Sequence, residues 1–218
     1  MEYQSNPMGA MMMEQAVNRT YICKHVDYSD GIWHDVSPIA LTDVVTGEAV
    51  KEETLVKACW DNQALYVRFE CADSYAVSDF KNRNDPLYEQ DVVEVFIDEA
   101  GNGKRYVEIV VSPNNIVYEV MIDHNDENDE LKFSIDRDWV TKGLVTSVDI
   151  QEDLRIYTMI IPLTNFNKQP TDGTEWKINF YRIDEEQNGK RHFQAWSPSG
   201  AINFHVSSLF GTLRFSRL

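Results

Sequence analysis

The chain has 218 residues, 43% of them hydrophobic, which is enough for one sizeable core, and no Pro/Gly/Ser-rich linker or internal repeat divides it. A formal net charge of -16 at pH 7 argues against nucleic acid and against anionic membrane surfaces as partners, because phosphate binding needs clustered lysine and arginine. No stretch approaches the roughly 18 consecutive apolar residues of a spanning helix, and the charge favours a neutral ligand or a cation on a monomer.

Residues 1–18 read as an N-terminal extension and residues 19–218 as a single domain. The opening MEYQSNPMGAMMMEQ lacks a basic segment followed by an apolar run, so no secretory signal is visible, which by itself points to the cytoplasm. Strand patterns begin with LVKACW and continue in ALYVRFECAD, where Leu65, Val67, Phe69 and Cys71 alternate with Tyr66, Arg68 and Glu70. Similar runs follow in VVEVFID, RYVEIVVS, IVYEVMI, LVTSVDI, RIYTMIIPL, EWKINFYRID, HFQAWS and GTLRF. The connectors WDNQ, EAGNGK, SPNN, QED and TDGT carry turn chemistry rather than helix caps. Short strands joined by tight turns predict an all-β, antiparallel β-sandwich with little helix, at most a turn near LTNF after Pro162. Cys23, Cys59 and Cys71 are odd in number, lack C-x-x-C spacing and read as buried free thiols. Trp33, Trp60, Trp139 and Trp176 read as packing residues.

One strand breaks the apolar pattern. In DPLYEQDVVEVFID, residues 85–98, Glu94 stands amid valines, Phe96 and Ile97. A carboxylate there is costly unless it is paired, metal-bound or set in a groove. Period 2 puts Val93, Val95 and Ile97 on the core face and Glu94 on the other, with Val92 and Phe96. RYVEIVVS repeats the device, with Val107, Ile109 and Val111 against Tyr106, Glu108 and Val110. The EAGNGK turn would bring Glu94 and Glu108 onto one sheet face looking outward, a surface able to bind a ligand.

DPLYEQDVVEVFID, RYVEIVVSP, WKINFYRID and AWSPSGAINFHVSSLFGTLRF together resemble the carbohydrate-binding module family 9, in its broader family-9-like form, from about Thr54 to the C-terminus. The resemblance implies a β-sandwich of the DOMON-related type that holds the end of an oligo- or polysaccharide between two aromatic rings, with structural calcium nearby and a place outside the cytoplasm. It puts the first ring at Tyr88, the hydroxyl-binding carboxylate at Glu94, and the second ring at Phe204, flanked by Asn203 and His205, with Tyr181 in place of a polar amide. The arginine that the family carries on the following strand is absent, since Val107 or Glu108 stands there. Glu108 and Trp196, the latter close to the Phe204 loop, complete the expected saccharide-binding set.

Other readings of the same residues stay open at this point. Arg182 is a candidate ion-pair partner for Glu94 or Glu108, which would make the carboxylates structural. Glu94 with Glu108 also fits the carboxylate pair of a glycosidase, although no nucleophile signature accompanies it and the five histidines are scattered. A haem-binding DOMON-type domain would use His205 and Met121, and a domain that has lost its ligand is the remaining alternative. No cofactor is required. Asp73 and Asp98 are single candidates for a structural calcium ion, whereas DHNDENDE, residues 123–130, lacks the glycine of a calcium loop and reads as a solvated hairpin.

Overall fold

The computed structural model describes residues 19–124 and 132–218. Among them there is no α-helix, and the strands are β1 (Thr20–His25), β2 (Ile39–Ala40), β3 (Thr42–Asp43), β4 (Thr54–Trp60), β5 (Ala64–Ala72), β6 (Val92–Asp98) and β7 (Arg105–Val111). They continue as β8 (Val117–His124), β9 (Phe133–Asp136), β10 (Val145–Ile150), β11 (Leu154–Pro162), β12 (Glu175–Glu185), β13 (Arg191–Ala195) and β14 (Gly211–Ser216). The main path runs β10-β11-β5-β4-β1-β14-β12-β6-β7-β8-β9, a single curled sheet whose two halves pack like the layers of a sandwich.

Alternation explains the packing. Val93, Val95 and Ile97 of β6 and Val107, Ile109 and Val111 of β7 meet Val56, Val67, Phe69 and Met159 of the opposite half in the principal core. The other face of β6, β7 and β8 carries a second apolar cluster that includes Val92, Phe96, Tyr106, Val110 and Tyr118. Pairing is antiparallel with one departure: TYICKH, which the alternation did not single out, forms β1 and runs parallel to both β14 and β4. The turn near LTNF is a short 3-10 helix, Leu163–Asn165. Further 3-10 turns form at Asp30–His34, Leu87–Glu89 and Ser207–Leu209.

The cysteines are free and buried. Trp60 and Trp176 sit in the principal core, with Trp139 packed against it, and Trp33 is buried in a small cluster on the outer side of β4 and β5. Residues 125–130 of the acidic run lie outside the described residues, while Asp123, the last but one residue of β8, stands opposite Arg105.

Candidate functional site

The register brings the two strand carboxylates together as the alternation requires. Glu94 stands opposite Val110, and Phe96 stands opposite Glu108, so the carboxylates are diagonal neighbours on one face. They do not look into open solvent. Glu94 is 2% exposed and Glu108 5%, because a second layer built from the segment after β13 and from the Leu87–Glu89 turn covers the strands.

That layer is pinned at several points. Asn179 of β12 holds residue 197 from both sides: its amide donates to the Ser197 carbonyl at 2.8 Å, and its oxygen accepts the Ser197 N–H at 2.9 Å. Phe204 lies flat on Tyr181, with ring centroids 4.1 Å apart and planes 10° from parallel. Ser207 donates to the carbonyl of Gly103 at 3.0 Å. Gly103 lies in the left-handed region at φ 73°, and a Cβ there would sit 2.9 Å from the Ser207 hydroxyl oxygen, so only glycine permits this docking. On the other flank Leu87 is buried, which turns Tyr88 outward. Its ring meets Tyr118 edge to face at 5.5 Å, and its carbonyl accepts from Arg191 Nη2 at 2.6 Å.

Between these elements lies a cavity of about 370 Å3. Glu94, Glu108 and Phe96 reach it from the sheet, Tyr88 and Tyr118 from one side, and Asn203, Phe204 and His205 from the covering segment. Ile183 and Phe193 close it from β12 and β13, and Phe133, Ile135 and Arg137 from β9 and its end. Of the expected saccharide residues, Tyr88, Glu94, Glu108, Asn203, Phe204 and His205 therefore converge. Tyr181 lies beneath them: its ring is covered by Phe204 and its hydroxyl donates to the Phe204 carbonyl at 2.9 Å. Trp196 lies on the opposite side, in the principal core against Tyr21 and Phe180. It is held there because Gly211 offers no side chain, and a Cβ at 211 would stand 2.3 Å from the indole. The wall from β9 was not foreseen, although FSIDR shows the period-2 signal, with Phe133, Ile135 and Arg137 in alternate places.

Burial raises both carboxyl groups above the ordinary glutamic range, Glu108 to about 8. For Glu94 the proximity of Glu108 adds to this effect, and Arg191 opposes it; for Glu108 the opposing charge is Arg137. Glu94 Oε1 is fully buried and, among the described residues, has no hydrogen-bond partner. An acceptor left this way costs about 1–3 kcal/mol, and a ligand donor would relieve it. His205 Nδ1 lies 2.8 Å from the Tyr106 hydroxyl, and burial, with His124 nearby, lowers its imidazole to about 4, so it is neutral at pH 7. The Asn203 side-chain oxygen accepts the backbone N–H of His205 at 2.9 Å.

Arg182 does not pair with Glu94 or Glu108. Tyr181, not Arg182, stands opposite Glu94, so the strand pleat sends Arg182 to the other face. There its Nη2 lies 2.6 Å from Asp184 and 3.6 Å from both Asp73 and Glu52, and Nη1 donates to the Ala72 carbonyl at 2.8 Å. Asp73 also binds Arg155 Nε at 2.8 Å. Glu52, Asp73 and Asp184 bring carboxylate oxygens within 4.8 Å of one another, but a guanidinium already stands among them, and a calcium ion, which takes 6–8 oxygens, would add a like charge. Asp98 fits an ion no better: it is fully buried, and its oxygens accept the N–H groups of Gly101 and Gly103 at 2.8 and 2.7 Å as a turn clamp. His205 and Met121 do not converge on a haem iron, since Met121 packs in the principal core and His205 faces the cavity on the other side of the sheet.

A family model described as "Carbohydrate family 9 binding domain-like" matches residues 27–217, and the chain belongs to this family. Among curated relatives, an "Extracellular protein" of Arthroderma benhamiae is 25% identical over 174 residues, spanning 75% of this chain and 78% of that protein. Endo-1,4-beta-xylanase A of Thermoanaerobacterium saccharolyticum is 26% identical over 185 residues, 84% of this chain, but the match spans only 14% of the xylanase. A solved family 9 carbohydrate-binding module from Caldicellulosiruptor kristjanssonii in complex with cellotriose superposes with a TM-score of 0.68 at 19% identity, covering 92% of this chain and 95% of that one. A Bacteroides uniformis protein superposes with a TM-score of 0.72 at 18% identity, covering 91% and 99%. At such identities the structural likeness establishes the fold.

Proposed function

We propose that the chain binds a saccharide, without turning it over, in the cavity above Glu94 and Glu108. The observation that carries this is the buried, unpartnered Glu94 Oε1 at the floor of an aromatic-walled pocket. A sugar answers both features, with C–H faces for Tyr88 and Phe204 and hydroxyls that donate to the carboxyl groups. A volume of about 370 Å3 stands at the small end of ligand pockets, about 300–1,000 Å3, and suits a chain end better than a run of rings. The family and its saccharide-bound members support the same reading.

Catalysis is disfavoured by the electrostatics. A glycosidase needs one carboxyl group protonated and its partner ionised, whereas burial pushes Glu94 and Glu108 the same way. Service as an accessory to a separate glycoside hydrolase is part of the proposal, and the xylanase relative makes xylan and its oligomers the first ligands to try. A glycan array followed by calorimetry is the test. Binding that weakens in Tyr88→Ala supports the reading, and silence across a broad panel with folded protein removes it. Turnover of xylan or an aryl glycoside that vanishes in Glu94→Gln would show an enzyme instead.

A further inference from the structure

We propose that the saccharide held in this cavity is acidic: a uronic acid whose carboxylate is taken by the guanidinium of Arg137 while a ring hydroxyl donates to Glu94. The inference rests on the saccharide reading above and narrows it to one ligand class.

Arg137 lines the cavity and acts on Glu108 electrostatically, but it is closed into no ion pair among the described residues. Among the described residues its one hydrogen bond is a long one, from Nη1 to the Tyr118 hydroxyl at 3.4 Å, and no carboxylate lies within ion-pair distance. Arg19 and Arg217, which also form no ion pair among the described residues, are engaged by the Trp196 carbonyl and by Asn62, away from the cavity. Arg68, Arg83, Arg105, Arg155, Arg182 and Arg214 each pair with a carboxylate. Arg191, the second cation near the cavity, donates to the Tyr88 carbonyl, stacks over Phe193 and, among the described residues, forms no ion pair.

The carboxyl groups on the floor do not cancel these charges. Burial shifts both toward their neutral form, so the floor carries reduced negative charge while the wall carries a cation. A guanidinium is a planar fork that matches a carboxylate with two parallel hydrogen bonds. The orphaned Glu94 Oε1 needs a hydrogen-bond partner, and a sugar ring brings hydroxyls that can both donate and accept, whereas a carboxylate alone only accepts. The ligand that satisfies both ends carries hydroxyls and one negative charge. The net charge of -16 does not exclude it, because charges beyond about 8 Å are largely screened at physiological ionic strength, while the Arg137 contact is direct.

Calorimetry of glucuronic and galacturonic acids against glucose and galactose, at physiological ionic strength, tests the assignment. At least one acid is expected to bind about tenfold tighter than its uncharged parent, the difference between a charge-assisted and a neutral hydrogen bond. In Arg137→Gln that ratio is expected to collapse to about twofold or less, with an unchanged melting temperature because Arg137 is exposed. Parent sugars that bind as well as the acids, or a preference that persists in Arg137→Gln, would overturn the acidic assignment and leave saccharide binding standing. Failure of every sugar, charged and neutral, would remove both.

Discussion

Tyr181 and Phe204 lie ring on ring, 4.1 Å apart, and the Tyr181 hydroxyl donates to the Phe204 backbone carbonyl at 2.9 Å. One residue of β12 thus fixes both the side chain and the main chain of a loop residue 23 positions away. Phe204 is only 9% exposed and belongs to the second apolar cluster, whereas Tyr88 across the cavity is 39% exposed. The two rings that flank the cavity are therefore unequal in what they support.

Substitution separates their roles. Tyr88→Ala is expected to weaken saccharide binding by about 1–3 kcal/mol with little change in melting temperature, the behaviour of an interface aromatic. Phe204→Ala is expected to weaken binding and also to lower stability by about 3–5 kcal/mol, the cost of emptying a packed phenyl site. Calorimetry and thermal melts on both variants check this, and equal stability losses would contradict the assigned burial.

Glu94→Gln is expected to weaken binding without lowering the melting temperature at neutral pH, because Arg182 faces the other side of the sheet and no buried cation loses its mate. The pH dependence has a definite sign. Glu108 keeps its proton up to about pH 8 in the folded chain but releases it near 4.5 when unfolded, and Glu94 is shifted the same way. The folded state then binds more protons between those values, so this contribution to stability is complete below about 4.5 and is lost as pH rises through 8, by at most about 1.4 kcal/mol per pH unit per group. Asp91, raised to about 7, and Asp73 and Asp184, also raised, act in the same direction; His205, lowered to about 4, acts oppositely below its ordinary range. The measurement is a difference: Glu108→Gln should flatten the fall in melting temperature between pH 5 and 8 relative to the unsubstituted protein.

Arg182→Met is expected to destabilise by about 3–5 kcal/mol, because Asp184 and Asp73 would remain buried without their shared cation. Denaturant unfolding measures it. Saccharide affinity of the folded fraction should be retained, since the group lies on the opposite face from the cavity.

Gly211→Ala is expected to cost about 1–3 kcal/mol by overpacking, because the new methyl would stand 2.3 and 2.6 Å from two carbons of the Trp196 ring. A melt at wild-type temperature would show that the indole can shift.

The sequence alone determined the strand faces. Alternation is local, so it places Val93, Val95 and Ile97 on the core face and Glu94 and Glu108 on one shared face without reference to strand pairing, and the β6–β7 register agrees. Only the tertiary structure decided what that face meets. The folding of residues 196–210 over the sheet turned two outward-looking carboxylates into buried ones, and it separated Trp196 in the core from Phe204 in the cavity although they are close in the chain. The strand order carried Arg137, the residue after β9, to the wall and left Arg182 among acids on the far side. Periodicity fixes which way a side chain points relative to its own strand. Which distant segment covers it depends on contacts between residues far apart in the chain, and no local pattern encodes them.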